Sequence, residues 1–423
     1  MELPSGAFYR QRFPDDGLID AGQSTTQLLQ SDRCSGFAVS GRQIGIAVGS
    51  RGIDRLADVV ASVVSWVHAR GGHCVIVPAM GSHAGAAEDG QTSMVRSLLG
   101  IESHPVLRDV EIDGSMATDR VGLFREVPLH VSHTARMCDA LVIINRVKPH
   151  TRLVGSVQSG LIKMCLVGLG KHVGAANHHR GFRQHGYDMD PVVQQAWPMV
   201  RSALPPTLGI ALLENESKRL FRIEAIAANR FASEEPTLLN LAYRRMARLP
   251  VEDLDLLIVD RIGKDISGTG MDAVVIGRKR NDLAAIDGDR PNVREIYVRD
   301  LSDKTAGNAT GIGMAHYCHK RLVDRIDEQT TNLNCLTAGH ASAAAVPMAF
   351  ESDRDAMRAI RGQSAADKTA TLRWMRIRDT GTLQTVWASD ALATELSAAG
   401  NFDGVRKSAP LEFDTNGNFE SFG

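Results

Sequence analysis

The chain has 423 residues, 43% of them hydrophobic and 23% charged, with a formal net charge of −1; this length exceeds one ordinary hydrophobic core and predicts two domains. The near-neutral balance excludes a basic field for nucleic acid or a membrane surface, and no apolar run approaches the ~20 residues of a membrane span. The start MELPSGAFYRQRFPDDG is polar and acidic rather than a signal peptide, so the expected address is the cytoplasm.

In chain order, the first β-rich run is IGIAV (44–48), which ends at the turn Gly49-Ser50-Arg51-Gly52. Ile53, Leu56, Val59, Val60, Val63, Val64 and Val67 then recur at helical spacing. A second apolar run, CVIVPAM, breaks into GSHAG. Strand, helix and strand, with a turn signal after each strand, predict a parallel α/β unit. ALVIINR (140–146) and LGIALLENE (208–216) read as further strands. Near Ala247–Asp253 the pattern restarts, and LDLLIVDR (254–261) echoes DALVIINR (139–146). The expected organisation is therefore two α/β domains, residues 1–247 and 248–423, with an active-site cleft between them. The C-terminal part continues with NVREIYVRDL and then helical and strand-like pieces to about Leu392, among which GMAHYCHKRLVDRI reads as a helix. The irregular tail 393–423 is expected to pack back on the first domain.

Ligands of open α/β sheets sit beyond the carboxyl ends of the strands. Arg51, His83, His150 and Lys264 all fall at such ends. GSRG sets Arg51 between glycines, and an arginine fork suits a carboxylate or phosphate. GSHAG sets His83 in a turn whose glycines let backbone approach a ligand, with an imidazole able to act as acid or base. RVKPHTR places His150 after a proline in a cationic loop with Arg146, Lys148 and Arg152. Each of these alone also has a structural reading, as a helix-capping arginine, a packed histidine or a solvated basic loop. SGLIKM (159–164) puts Lys163 in an apolar patch, unusual for lysine unless it has a role; a nucleophilic amine and a snorkelling side chain are the two readings. GLGKHVGAANHHR supplies His172, His178 and His179. Adjacent histidines on a helix point apart, so at most one of His178 and His179 is a metal ligand, and no closed zinc site is spaced here. GKDISGTGMD (263–272) brings Lys264, Asp265 and Thr269 to a second-domain loop. The six cysteines are scattered without a CxxC and read as free thiols.

In this order the pieces GSRGI, VPAMGSHAGA, INRVKPHT, SGLIKM, GLGKHVGA and GKDISGTGMD resemble the lactate racemase family of nickel-pincer enzymes, over roughly residues 40–280 and more loosely to Leu392. The resemblance implies two α/β domains around a cleft. It implies a nickel-pincer nucleotide, a pyridinium mononucleotide that grips nickel through sulfur, carbon and sulfur. By motif position Lys163 is the covalent tether, Ser159 and Gly160 flank the cofactor, and His179 is the protein ligand of nickel. His83 and His150 fall on the two acid–base histidines and Arg51 on the arginine that binds the substrate carboxylate, with Lys264 and Asp265 facing the substrate. Cofactor-synthesis proteins are implied as partners. The chain departs from the best-known lactate enzymes in two places: the attachment segment reads SGLIKM rather than a glycine- and arginine-rich run, and GKDISGTGMD carries no tyrosine. A longer or more polar 2-hydroxy acid than lactate is therefore expected. Two other readings remain, a metal-dependent hydrolase using His178 or His179, and a non-catalytic cofactor carrier.

Overall fold

The structure is a computed structural model that describes residues 2–184, 186–286, 288–363, 371–404 and 407–422. Its strands are, in chain order, β1 (Ser5–Gln11), β2 (Gln43–Val48), β3 (His73–Pro78), β4 (Glu111–Ile112), β5 (Thr118–Phe124), β6 (Val127–Ser132), β7 (Ala140–Arg146), β8 (Thr207–Glu214), β9 (Leu220–Ala227), β10 (Asp253–Val259), β11 (Asn292–Val298), β12 (Tyr317–His319), β13 (Met348–Phe350), β14 (Trp374–Asp379), β15 (Thr382–Ser389), β16 (Phe402–Gly404) and β17 (Ala409–Pro410). The chain divides into two α/β units, Asp15–Met246 and Met1–Pro14 with Ala247–Gly423.

The Asp15–Met246 unit is built on a sheet of order β4-β3-β2-β7-β8-β9. Neighbours from β4 to β8 are parallel, and β9 closes the edge antiparallel to β8. Its strands read as unbroken apolar runs because both faces are covered. Ile44, Ile46, Ile76, Val142, Ile144 and Ile210 meet one core with Val59, Val60, Val63 and Val64 of the helix Leu56–His68. Ala47, Val75, Val77, Leu141, Ile143 and Ala211 meet a second core with Leu161, Ile162 and Phe231. The chain leaves β2 toward β3 on one side and returns to β7 on the other. That reversal is a topological switch point at the carboxyl ends of β2 and β7, the place where α/β sheets bind ligands.

The second unit has a nine-stranded sheet among the described residues, of order β13-β12-β11-β10-β14-β15-β1-β16 with β17 on β1. From β13 to β14 the pairing is parallel, and from β14 to β16 it is antiparallel. The N-terminal segment does not join the first unit as expected: β1 pairs with β15 from Gly6↔Ser389 to Arg10↔Thr385. Those ladder bonds fix its place, and the tail strands β16 and β17 pair with β1 in this same unit. The expected helix GMAHYCHKRLVDRI is instead a 3-10 turn Ile312–Met314, the strand β12 and a short helix Lys320–Val323. Tyr317, Cys318 and His319 are buried on both sides of the sheet, which outweighs their helical neighbours' propensity.

Candidate active site

Three strand-end loops of the Asp15–Met246 unit carry Arg51, His83 and His150. The loop after β2 is clamped at its far end. The Asp54 N–H donates to Glu214 Oε1 (2.9 Å), and Asp54 Oδ2 accepts the Leu220 N–H (2.9 Å). Glu214 also pairs with Arg146, the last residue of β7. Glutamate and arginine thus fasten the Arg51 turn to β7 and β8. Arg51 makes no ion pair among the described residues and remains exposed. Burial by the surrounding protein and the Arg146 charge hold its pKa below the ordinary guanidinium value. A forked cation among cations is a receptor for an anion.

His83 follows β3, and its Nδ1 is hydrogen-bonded to the Ser50 hydroxyl, so the first two loops meet here. Ala84, Gly85 and Ala86 after it all have positive φ (55°, 72° and 54°). Such strain in non-glycine residues gathers at functional sites. The loop is held from beneath by a buried polar staple that sequence reading passed over. Lys171 is 0% exposed; its Nζ donates to the Pro78 carbonyl (2.8 Å) and Gln91 Oε1 (3.4 Å), and Gln91 Nε2 donates to the Gly81 carbonyl (2.8 Å). Burial lowers the Lys171 pKa to about 8. Its position in GLGKHVGA gave no sign of this; only its lack of a nearby acidic residue in sequence hinted at a backbone partner.

Lys163 ends a short helix, Leu161–Lys163, that runs into a π turn, Met164–Gly168. The Leu169 N–H donates to the Met164 carbonyl (2.9 Å). π turns recur at functional sites. This one lets Gly168 lie against Ala79: a Cβ there would stand 2.5 Å from the Ala79 carbonyl oxygen. Lys163 is half-buried and makes no hydrogen bond or ion pair among the described residues. Burial first, and the Arg51 charge second, lower its pKa to about 8. His179, on the helix Lys171–Gln184, keeps an exposed surface, yet surrounding protein and then the Lys163 charge lower its pKa. His178, one residue earlier, is 2% exposed, rests on Phe182 with centroids 5.5 Å apart, and leaves Nε2 without a partner. Burial lowers its pKa to about 4. Adjacent histidines point apart as expected: His178 into the core, His179 outward beside Lys163.

His150 lies half-buried in the loop after β7. Its Nδ1 accepts the backbone N–H groups of Arg152 (3.0 Å) and Leu153 (3.1 Å), and its own N–H donates to Gln158 Oε1 (3.0 Å). Ser159 and Gly160 brace this loop through backbone. Ser159 and Lys148 exchange N–H···O bonds of 2.9 and 3.3 Å, and the Gly160 carbonyl accepts Asn145 Nδ2 (2.7 Å). Gly160 has no room for a Cβ, because the Glu235 carboxyl lies against it. Lys264 and Asp265 belong to the other unit, in the loop after β10. Lys264 Nζ donates to the Gly268 carbonyl (3.0 Å), Ser302 donates to Asp265, and Thr269 Oγ1 donates to the Met271 carbonyl (2.6 Å).

Glu235 was invisible in the sequence. It sits on the helix Phe231–Arg245, is 0% exposed, accepts the Ile162 N–H (3.1 Å) through Oε2, and leaves Oε1 unpartnered. It therefore caps the turn that carries Lys163. Burial raises its pKa to about 7. The folded state then holds a proton that the unfolded state releases near pH 4.5, so Glu235 makes stability fall as pH rises from about 4.5 to about 7. His178 acts oppositely, because its depressed pKa makes stability fall as pH drops from 6.5 toward 4. Replacing Glu235 with glutamine should remove only the first slope, on the order of 3 kcal/mol across the window. Urea titrations of both proteins at pH 5 and pH 8 measure it; equal pH dependence would refute the assignment.

A group of three or more histidine, cysteine or acidic side chains able to hold a metal ion is absent among the described residues. The donor set at Lys163 and His179 instead offers one amine without a counter-charge and one neutral imidazole. That set cannot hold a bare ion, but fits a cofactor that brings most of its own donors, as a pincer nucleotide does.

No protein-family model matches the chain, and no curated protein matches it. Among solved structures, a Thermotoga maritima protein solved by the Northeast Structural Genomics Consortium is similar at 15% identity and a TM-score of 0.49, covering 78% of this chain and 83% of that one. The lactate racemase apoprotein from Thermoanaerobacterium thermosaccharolyticum is similar at 11% identity and a TM-score of 0.47, covering 82% of this chain and 100% of that one. Likeness at this level establishes neither family nor activity. No helix among the described residues is long and apolar enough to cross a membrane.

Proposed function

We propose that the chain is a racemase or epimerase of a 2-hydroxy acid, working with a nickel-pincer nucleotide. The observation that carries this reading is Lys163: a half-buried amine without a counter-charge, its pKa lowered to about 8, beside the neutral imidazole of His179. An uncompensated lysine is costly to keep unless it reacts or binds. Lys163 would tether the nucleotide, His179 would ligate nickel, and the backbone around Ser159 and Gly160 would border it. When bound, the group supplies a hydride acceptor, and the protein supplies binding and orientation.

Arg51 would take the substrate carboxylate in its fork, with Arg146 and Lys163 adding positive charge behind it. His83 would hold the proton of the substrate hydroxyl, in a loop stapled by Lys171 and Gln91. A 2-hydroxy acid longer or more polar than lactate is the expected substrate, since the segment GKDISGTGMD carries lysine, aspartate and threonine and no tyrosine. The nucleotide would be delivered by cofactor-synthesis proteins.

The test is a panel of enantiopure 2-hydroxy acids given to protein made together with a cofactor-synthesis pathway. Appearance of the opposite configuration at C2 of at least one acid, lost in Arg51→Met, is expected. Cofactor-loaded protein that changes none of them would leave a carrier, and hydrolysis without nucleotide would leave a metal hydrolase.

A further inference from the structure

The 22 residues from 329 to 350 contain no aspartate, glutamate, lysine or arginine, in a chain that is 23% charged. A charge-free run of this length ordinarily belongs to a core, yet much of this one lies at the surface. The helix Glu328–Thr337 is held down by Thr331, whose Oγ1 accepts the Ala309 N–H (3.0 Å), and by the buried Cys335. Its outer face carries Leu333 and Leu336, where a surface helix ordinarily carries charge. The turn Ala341–Ala344 packs against that helix. Its Ser342 hydroxyl donates to Asp282 (2.5 Å), and a Cβ on Gly313 would stand 1.9 Å from the Ser342 carbonyl oxygen. Val346 follows, and then Met348 in β13, the edge strand of its sheet. Leu283 adjoins Asp282. Leu283, Leu333, Leu336, Val346 and Met348 are each half or more exposed. Single exposed apolar side chains are ordinary, but five gathered around one turn mark a surface that binds something.

We propose that this face docks a second copy of the chain, the same face of each copy meeting the other about a two-fold axis. Its layout is that of an interface core: charge resumes at the exposed Glu328 and Glu351 on its flanks, as a polar rim around an apolar centre. A contiguous apolar patch beyond about 300–600 Å² marks an interaction site. With the exposed Ala341, Ala345 and Ala349 added, this face is of the same order as the about 800 Å² that each partner of a standard interface buries. A protein of different sequence is recognised and steered largely through charge complementarity, and this face has no charge to complement. Two copies cover each other without any, as the self-complementary faces of a two-fold dimer do, and homodimer interfaces are the more apolar kind. The proposal is independent of the activity proposed above, since no residue of the candidate site takes part.

Sedimentation velocity of the full chain across micromolar concentrations tests it. A species of twice the 45.8 kDa chain mass is expected. Leu336→Glu should weaken the association by about 100-fold or more, because each copy would bury an unpaired carboxylate. Met348→Lys, on the neighbouring strand, should do the same, and the far-UV circular dichroism of both variants should match that of the parent. Leu123→Glu alters a half-exposed leucine in the other unit's β5 and should leave the mass at two chains. Amide exchange of the unaltered protein needs no variant: residues 329–350 should exchange more slowly at high concentration than at low. A chain that stays single throughout overturns the proposal. So does a dimer that survives both patch variants, or one whose exchange over 329–350 is the same at the two concentrations.

Discussion

Replacing Lys163 with methionine should make the protein more stable while removing its ability to carry cofactor. The amine's ordinary value is 10.5 and burial beside Arg51 lowers it to about 8. A base with a depressed folded-state pKa contributes stability above its unfolded value, and that stability is lost as pH falls through the folded one. At pH 7 the whole penalty is therefore present. Removing the charge should restore up to about 3 kcal/mol, reduced by solvent at the half-buried surface. Methionine has a similar volume and carries no charge. Urea midpoints at pH 7 and pH 10 measure the effect, which should shrink at the higher pH. A variant less stable than the parent at pH 7 would mean that Lys163 is a structural residue. Gain of stability with loss of function marks a residue retained for chemistry.

Replacing Asp353 with alanine should cost the other unit about 3–5 kcal/mol, the usual loss when one partner of a buried ion pair is removed. Asp353 is 0% exposed. It accepts the Tyr297 hydroxyl (2.7 Å), Arg299 Nη2 (2.7 Å) and the Phe419 N–H (2.8 Å). Burial pushes its carboxyl up, but the Arg299 hydrogen bonds and charge outweigh that and leave its pKa below the ordinary value. Arg299 also pairs with Asp260 (2.9 Å), which binds Arg376 through both carboxylate oxygens at 2.7 Å. The tail is threaded through this network. Arg299 donates to the Phe419 carbonyl (2.9 Å) and Arg376 to the Glu420 carbonyl (2.6 Å). Phe419 stacks on Phe413 with centroids 4.8 Å apart. Losing Asp353 leaves Arg299 and Arg376 to share the single carboxylate of Asp260 and takes away the acceptor of the Phe419 N–H, so the ion pair and the tail are weakened together. Asp353→Asn, which keeps an acceptor, should cost less. Fluorescence of Trp374 and Trp387 during urea unfolding reports on this unit, and a cost under about 1 kcal/mol would show that the network is not what anchors the tail.

The parallel strands were legible because a strand covered on both faces is a continuous apolar run, ended within a few residues by glycine or proline. IGIAV, CVIVPAM, ALVIINR and LDLLIVDR all fall on observed strands. Their carboxyl ends marked Arg51, His83 and His150 for the same reason: the turn that stops the strand also presents the side chain. What escaped reading lies in long-range pairing and buried charge. The segment SGAFYRQ carries no local sign that its partners are Thr385 and Ser389. HYCH looks helical by neighbours and becomes a strand only because β11 and β13 bracket it. Lys171 and Glu235 resemble surface residues in sequence. Their roles, stapling the His83 loop and capping the Lys163 turn, depend on carbonyls and amides supplied from other elements.

The proposed function requires that Lys163 and His179 hold a nickel-bearing nucleotide. Intact-protein mass combined with metal analysis, on protein produced alongside a cofactor-synthesis pathway, tests it most directly. An added mass with one nickel per chain is expected, absent in Lys163→Ala and stripped of nickel in His179→Ala. Bare protein, or zinc bound without nucleotide, would contradict it.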